Sequence, residues 1–135
     1  MSINSTSVPL ITITTAVSGT VVSIGLVPAG TKHVLIHSNF DYGSGGTSAK
    51  FYLQSSADGG TTWFDVASLA HTTADLRRVV SLDCTAAGTL ATAQDAALTD
   101  NTKLDGLLGD RLRLKYTTTG TYAGSTTYKF DLVYR

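Results

Sequence analysis

The side chains that most often carry catalysis are few and scattered in this sequence. The histidines are His33, His37 and His71, and the single cysteine is Cys84. A cysteine nucleophile needs a histidine positioned beside it, and the sequence indicates no such pair. His33 and His37 would lie on the same face of a strand, as two ligands of a metal site would, but a third ligand is not evident. We therefore expect neither a nucleophilic nor a metal site here, and a semi-buried structural cysteine.

Oxygen-bearing side chains suggest a second kind of site. Asp95, Asp100, Asn101 and Asp105 are candidates for calcium ligands, because calcium prefers carboxylate and amide oxygens. Their spacing does not match the EF-hand loop. A solvated acidic loop is therefore the better interpretation.

A glycine-rich loop at 41–47 invites comparison with phosphate-binding loops. Such a loop is followed by Lys-Ser/Thr and a helix, whereas here the chain continues into a predicted strand. We expect an ordinary surface loop.

The most specific motif is the run from Ser56 to Trp63, which reads SADGGTTW. Asp58 can accept hydrogen bonds from backbone N–H groups of a turn, and Gly60 can adopt a positive φ. Trp63 would then fold over the turn as a lid. The run fits the pattern Ser-x-Asp-x-Gly-x-Thr-Trp and resembles the Asp-box, a β-hairpin turn of sialidases and other β-propeller proteins.

The rest of the sequence argues against a sialidase. Propellers repeat the box in successive blades, and this chain has one copy. Glycosidases generally use a pair of Asp or Glu side chains. Glutamate is absent here, and all ten acidic residues are aspartates. The arginines that a substrate carboxylate would need, at 77–78, 111 and 113, are expected to lie on solvated strand faces. We therefore expect no enzymatic activity and no cofactor.

Composition indicates the elements that position these residues. The 135-residue chain has 22 threonines, 13 glycines and no glutamate. Threonine favours strands, glycine supplies turns, and glutamate, a good helix former, is missing. Ten basic residues balance ten acidic ones, so no net charge favours nucleic acid or an anionic membrane. No apolar run is long enough to span a membrane, and the N-terminus does not resemble a secretory signal.

Hydrophobic patterning predicts eight strands, with a hairpin-type break at Ser18–Gly19 between the first two. In the last two strands, apolar side chains recur at every second position. Residues 1–7 are predicted to be a flexible arm, and 8–135 a single domain. Within the irregular segment 85–109, a short helix or an additional irregular strand, which would be the seventh in chain order, is expected around 91–97. The predicted strands are 8–16, 20–27, 32–40, 49–55, 61–69, 75–83, 111–116 and 128–135.

Short strands separated by turns predict an all-β, antiparallel two-sheet β-sandwich of about eight strands. Jelly-roll topology is one arrangement, and a small closed barrel is the alternative.

The hairpin at 51–66 also looks like hairpins in small structural proteins of tailed bacteriophage virions, including head decoration, tail and fibre-associated proteins. That resemblance implies a non-enzymatic virion protein, most simply a capsid decoration protein. It would bind the major capsid protein or another virion protein as a homo-oligomer, with a trimer expected.

The alternative is a carbohydrate-binding or tail and adsorption module. Sugar sites place exposed aromatic rings against pyranose faces. The candidate aromatic residues are Tyr42, Trp63, Tyr116, Tyr122 and Tyr128, but most of them are expected to be core or edge aromatics.

Overall fold

The computed structural model describes residues 4–88 and 90–135, and these form ten strands. Among the described residues, no helix has the length and apolar character of a membrane span. The strands are β1 (Asn4–Thr12), β2 (Val17–Leu26), β3 (His33–Asp41), β4 (Ser44–Gly45), β5 (Ser48–Ser56), β6 (Phe64–His71), β7 (Leu76–Asp83), β8 (Arg111–Thr119), β9 (Tyr122–Ala123) and β10 (Thr127–Tyr134).

Eight of these strands form two antiparallel four-stranded sheets. Sheet A has the order β1-β10-β3-β7, and sheet B has the order β2-β8-β5-β6. The short strands β4 and β9 pair separately. One hydrophobic core draws on strands of both sheets. The predicted all-β, two-sheet sandwich is thereby confirmed, and the closed-barrel alternative is wrong because the two sheets are not hydrogen-bonded into one.

The two-residue alternation predicted for the last strands is confirmed. Leu112 and Leu114 of β8 are buried, as are the alternating aromatic and leucine residues of β10. Across the sandwich, the Phe51 ring of β5 stacks on the Tyr128 ring of β10, with 3.6 Å between centroids. These faces are buried because side chains at every second position of a strand point the same way. The buried β10 residues are Tyr128, Phe130, Leu132 and Tyr134.

The hairpin predicted at Ser18–Gly19 is wrong. β1 belongs to sheet A and β2 to sheet B, so the chain crosses between sheets instead of turning back on itself. Gly19 lies within β2, where the register shifts between Val17 and Thr20, and its φ is +68°. A glycine with positive φ suits a β-bulge as well as a turn, which is why the sequence signal was ambiguous.

The flexible arm predicted at 1–7 is also corrected. β1 begins at Asn4, and residues 4–7 pair with the C-terminal half of β10. Strand pairing uses backbone groups, so the polar side chains of this segment do not prevent it. Residues 1–3 lie outside the described part of the chain. Residues 91–97 form neither the short helix nor the strand expected there.

His71 is the one histidine that lies in the core. Its side chain is 3% exposed, its ring stacks on Phe40 with 4.8 Å between centroids, and neither ring nitrogen has a hydrogen-bond partner among the described residues. Burial lowers the pKa of His71 to about 4, and the charge of Arg78 acts in the same direction. The neutral imidazole is therefore the form that the core accommodates.

Acid should destabilise the fold through His71. Its pKa is lowered in the folded state, so its contribution is fully present above pH 6.5 and is lost as pH falls towards 4. The loss should reach about 3 kcal/mol. Urea unfolding at pH 7 and pH 4.5 should show it, and His71→Phe should reduce it. His33→Gln, at an exposed position, should leave the loss unchanged; the same loss in His71→Phe would contradict this assignment.

Candidate functional site

The Ser56–Trp63 motif forms the turn of the β5–β6 hairpin, as predicted. The Asp58 carboxylate accepts hydrogen bonds from the backbone N–H groups of Thr61 (3.1 Å) and Thr62 (2.9 Å) and from the Thr62 hydroxyl (2.6 Å). Ser56 Oγ donates to the same carboxylate and accepts from Gly60 N, both at 2.9 Å. The turn is therefore held by side chains that lie within it.

Trp63 closes this turn. Its Nε1 donates to the Gly60 carbonyl oxygen at 3.1 Å, and Gly60 has a φ of +94°. On the strand beside the hairpin, the Arg113 guanidinium carbon lies 4.5 Å from the centre of the indole ring, a cation–π distance. Arg113 is therefore packed on an aromatic ring and is not simply on a solvated face.

A shallow groove lies between this turn and the end of β2. Its volume is about 290 Å³. Gly59 and Gly60 contribute backbone, Trp63 contributes an aromatic wall, and Arg111 contributes a charge. The groove is lined by Ser23, Gly25, Leu26, Gly59, Gly60, Trp63, Arg111 and Leu112.

A second polar centre, which sequence reasoning missed, is built around Asp65 of β6. This carboxylate is 1% exposed and accepts four hydrogen bonds. Gln54 Nε2 donates from β5 at 2.8 Å. Three successive backbone N–H groups, from 96 to 98, donate at 2.9 to 3.0 Å. The sequence signal was a charged residue inside an apolar strand, but three of its four partners lie 31 to 33 residues further along the chain.

The network continues on the outer face of sheet B. Gln54 Nε2 also donates to Asp95 at 2.7 Å, and its Oε1 accepts from Arg113 Nε at 2.8 Å. Lys115 Nζ lies 2.8 Å from the Asp95 carboxylate. Hydrogen bonds from Lys115 and Gln54 lower the pKa of Asp95. These contacts hold the long loop against the sheet.

Residues 94–106, which we call the closing segment, run along the edge of the sandwich. Asp65 N donates to Gln94 O, Ser68 N to Thr102 O, and Leu104 N to Val66 O, at 2.8 to 2.9 Å. β6 is the edge strand of sheet B, so these bonds satisfy backbone groups that would otherwise be open to other chains.

The closing segment also reaches β7, the edge strand of sheet A. Lys103 Nζ donates to Ser81 O at 2.6 Å, and Gly106 N donates to Asp83 O at 2.9 Å. Asp83 N donates to the Asp105 carboxylate at 2.9 Å. One irregular segment therefore joins the two sheets along this side.

The four candidate calcium ligands have separate partners. Asp95 binds Gln54 and Lys115, while Asp100 lies 3.2 Å from Lys50. Asn101 accepts from Ala70 N and from Arg78, and Asp105 accepts from Asp83 N. No three His, Cys, Asp or Glu side chains within 4–88 and 90–135 come together as a metal site.

The exposed histidines and the cysteine are also apart. His33 lies 3.8 Å from Asp83, and His37 lies 3.8 Å from Asp131. Cys84 is half-buried, and burial raises the pKa of its thiol. The thiolate is thus disfavoured, in keeping with the structural role predicted for Cys84.

Two of the five candidate sugar-binding aromatics are inaccessible. Tyr122 is 1% exposed and donates its hydroxyl to Thr72 O at 2.7 Å. Tyr128 lies in the core, where burial raises its pKa. The glycine-rich loop 41–47 pairs with β9 and packs against the Tyr122 ring. Tyr42, Trp63 and Tyr116 remain partly exposed.

The opposite side of the sandwich is formed by β1 and β2, the other two edge strands. Within the described ranges, no segment covers it as the closing segment covers β6. Exposed apolar side chains lie on these strands: Leu10 is 60% exposed and Leu26 is 65% exposed, with Val21 at 46%. The two sides therefore differ in how their edges are treated.

Comparison with known proteins adds no relative: no family model, no curated protein and no solved structure matches this chain.

Replacing Asp65 should release the closing segment. Asp65→Ala removes the acceptor of four hydrogen bonds and leaves buried N–H groups unpaired, so stability should fall by about 3 kcal/mol. Hydrogen exchange should show the largest loss of protection at 96–104. Asp100→Ala removes an exposed carboxylate of the same segment and should have little effect. Uniform loss of protection across both sheets in Asp65→Ala would contradict a local role.

Replacing Asp58 should weaken the hairpin. Hydrogen bonds, led by that from the Thr62 hydroxyl, lower the pKa of Asp58 to about 2. Its contribution to stability is therefore present above pH 3.8 and lost as pH falls towards 2. At neutral pH, Asp58→Ala should lower the melting temperature, whereas Asp41→Ala, at an exposed strand end, should not. Equal melting temperatures for the two variants would show that the Asp58 contacts add no stability.

Proposed function

We propose that this protein is a non-enzymatic structural protein of a tailed bacteriophage virion, where it serves as a capsid decoration protein. It binds the capsid lattice as a homo-oligomer, with a trimer as the expected state.

The strand order is the observation that carries the proposal. Each sheet places strands from the two ends of the chain side by side: β1 lies next to β10 in sheet A, and β2 lies next to β8 in sheet B. Apart from the β5–β6 hairpin, successive long strands alternate between the two sheets. This supports a jelly-roll topology, an eight-stranded arrangement that recurs in viral capsid proteins and lectins.

The asymmetry between the two sides supports an assembly role. The closing segment satisfies the β6 edge, while among the described residues β1 and β2 keep free edges that carry Leu10 and Leu26. Open edges and exposed apolar side chains favour association with another protein. The chain has no net charge to oppose association of its copies.

The roles of the polar centres agree with a structural protein. Asp58 holds a turn, and Asp65 and Asp95 hold the closing segment. These carboxylates are committed to backbone or side-chain donors, so their hydrogen bonds stabilise the fold.

A carbohydrate-binding or adsorption module is the second candidate, favoured by the groove beside Trp63. Arg113 occupies one face of the indole, and Gly60 accepts its N–H. These contacts leave less of the ring for a pyranose, so the decoration role is preferred.

Light scattering on the purified protein should give the mass of a trimer at micromolar concentration. Leu26→Asp, and more strongly Leu10→Asp with Leu26→Asp, should yield a monomer, because each places a charge on the free β1–β2 side. Val79→Asp is the matched control: Val79 is also 65% exposed but lies on β7, and this variant should remain trimeric.

A monomeric parent protein would contradict the oligomer, and dissociation by Val79→Asp alone would contradict the choice of side. A gene for a major capsid protein beside the reading frame would support the decoration role. Neighbouring tail genes would instead favour the adsorption module.

A further inference from the structure

β6 is an edge strand of sheet B, and the closing segment occupies its outer side. The Val66 carbonyl oxygen and the N–H groups of Ser68 and Ala70 bond to that segment at 2.8 to 3.0 Å. Alternate residues of a strand direct their backbone groups to the same side, so these three residues mark the side of β6 that a further strand would pair with. Their partners are Leu104 N, Thr102 O and Asn101 Oδ1.

The edges of β1 and β2 carry interruptions that oppose the addition of a strand. β1 contains Pro9 at the point where its register with β10 shifts. β2 shifts register twice against β8 and contains Gly19 and Gly25, both with positive φ. Proline and bulges protect exposed strand edges from pairing with other chains. Association on the β1–β2 side therefore relies on side chains such as Leu10 and Leu26.

Beyond its first residues, β6 lacks this protection. Its sequence, FDVASLAH, contains no proline, glycine or lysine. Its register with β5 shifts once, at Val66, and then runs without interruption from Ala67 to His71. Its one carboxylate, Asp65, accepts hydrogen bonds from the closing segment. The edge of β6 is therefore protected by the closing segment and not by its own sequence.

The outward groups of β6 are complementary to those of a second β6 strand. In an antiparallel pair with Ser68 opposite Ser68, each Ser68 N–H faces the other Ser68 carbonyl, and each Ala70 N–H faces the other Val66 carbonyl. The groups that bond to the closing segment would thus find partners on a second copy. Ser68 Oγ is buried and makes no hydrogen bond within the described residues, whereas the hydroxyls of two opposite serines can bond each other.

We propose that the closing segment covers a second interface: when this segment is released, β6 pairs antiparallel with β6 of a second copy, with Ser68 on the two-fold axis. The two copies of sheet B, of four strands each, then form one continuous sheet. Such a contact is isologous and closes at two copies. It goes beyond the virion role and does not depend on it, because it lies on the side opposite β1 and β2.

The test releases the closing segment in a background, Leu10→Asp with Leu26→Asp, that removes association through the β1–β2 side. Asp65→Ala removes the acceptor of its backbone N–H groups. Asn101→Gly removes only a side-chain acceptor at an exposed position, and glycine suits the local φ of +59°. Light scattering should show the background mass doubling in Asp65→Ala, and doubling at higher protein concentration in Asn101→Gly.

Hydrogen exchange identifies the strand that pairs. In Asp65→Ala, the Ser68 and Ala70 amides should exchange rapidly at low protein concentration and at least about tenfold more slowly once the mass has doubled. Ser68→Pro, added to Asp65→Ala, removes the donor on the two-fold axis at an edge position that tolerates proline, and it should restore the background mass. Asp100→Ala is the matched control: it removes an exposed carboxylate of the same segment and should not associate.

The proposal is overturned if a folded variant that has lost protection at Ser68 and Ala70 keeps the background mass at every concentration, or if neither variant loses that protection. Association that leaves these two amides unprotected, persists with Ser68→Pro or continues beyond two copies would also contradict it. Should Asp65→Ala fail to fold, Asn101→Gly decides alone.

Discussion

The buried carboxylate of Asp65 is the contact on which the closed side of this sandwich depends. A polar group that is 1% exposed is tolerated only when it has hydrogen-bond partners, and here one amide side chain and three backbone N–H groups donate to Asp65. Those backbone donors belong to the closing segment, which runs beside β6 and also contacts β7. An irregular loop, not a further strand, thereby covers the edge of sheet B.

Closure on one side gives the molecule two different surfaces. The covered side contains a groove of about 350 Å³ between β6 and β7. The free side presents strand edges with Leu10 and Leu26 exposed. The two sides therefore differ in how far their strand edges are covered.

The Asp58 turn shows how a specific motif can be held together by its own side chains. Its donors and acceptors lie within eight residues, which is why its geometry was predictable from the sequence. The aromatic residues illustrate the opposite case. Tyr122 lies in the turn between the last two predicted strands, yet packing against Phe40 and Tyr42 buries it. Local patterns do not report contacts made across the sandwich.

The sequence by itself determined the approximate positions of the eight long strands, the alternating faces of the last two and the Asp58 turn, because alternation and turn chemistry are local properties. Only the tertiary structure decided which sheet each strand joins, and it separated β1 from β2 and β8 from β10. It also decided the partners of Asp65, the burial of His71 and the course of 94–106. These depend on contacts between distant parts of the chain, which the order of residues within one strand does not encode.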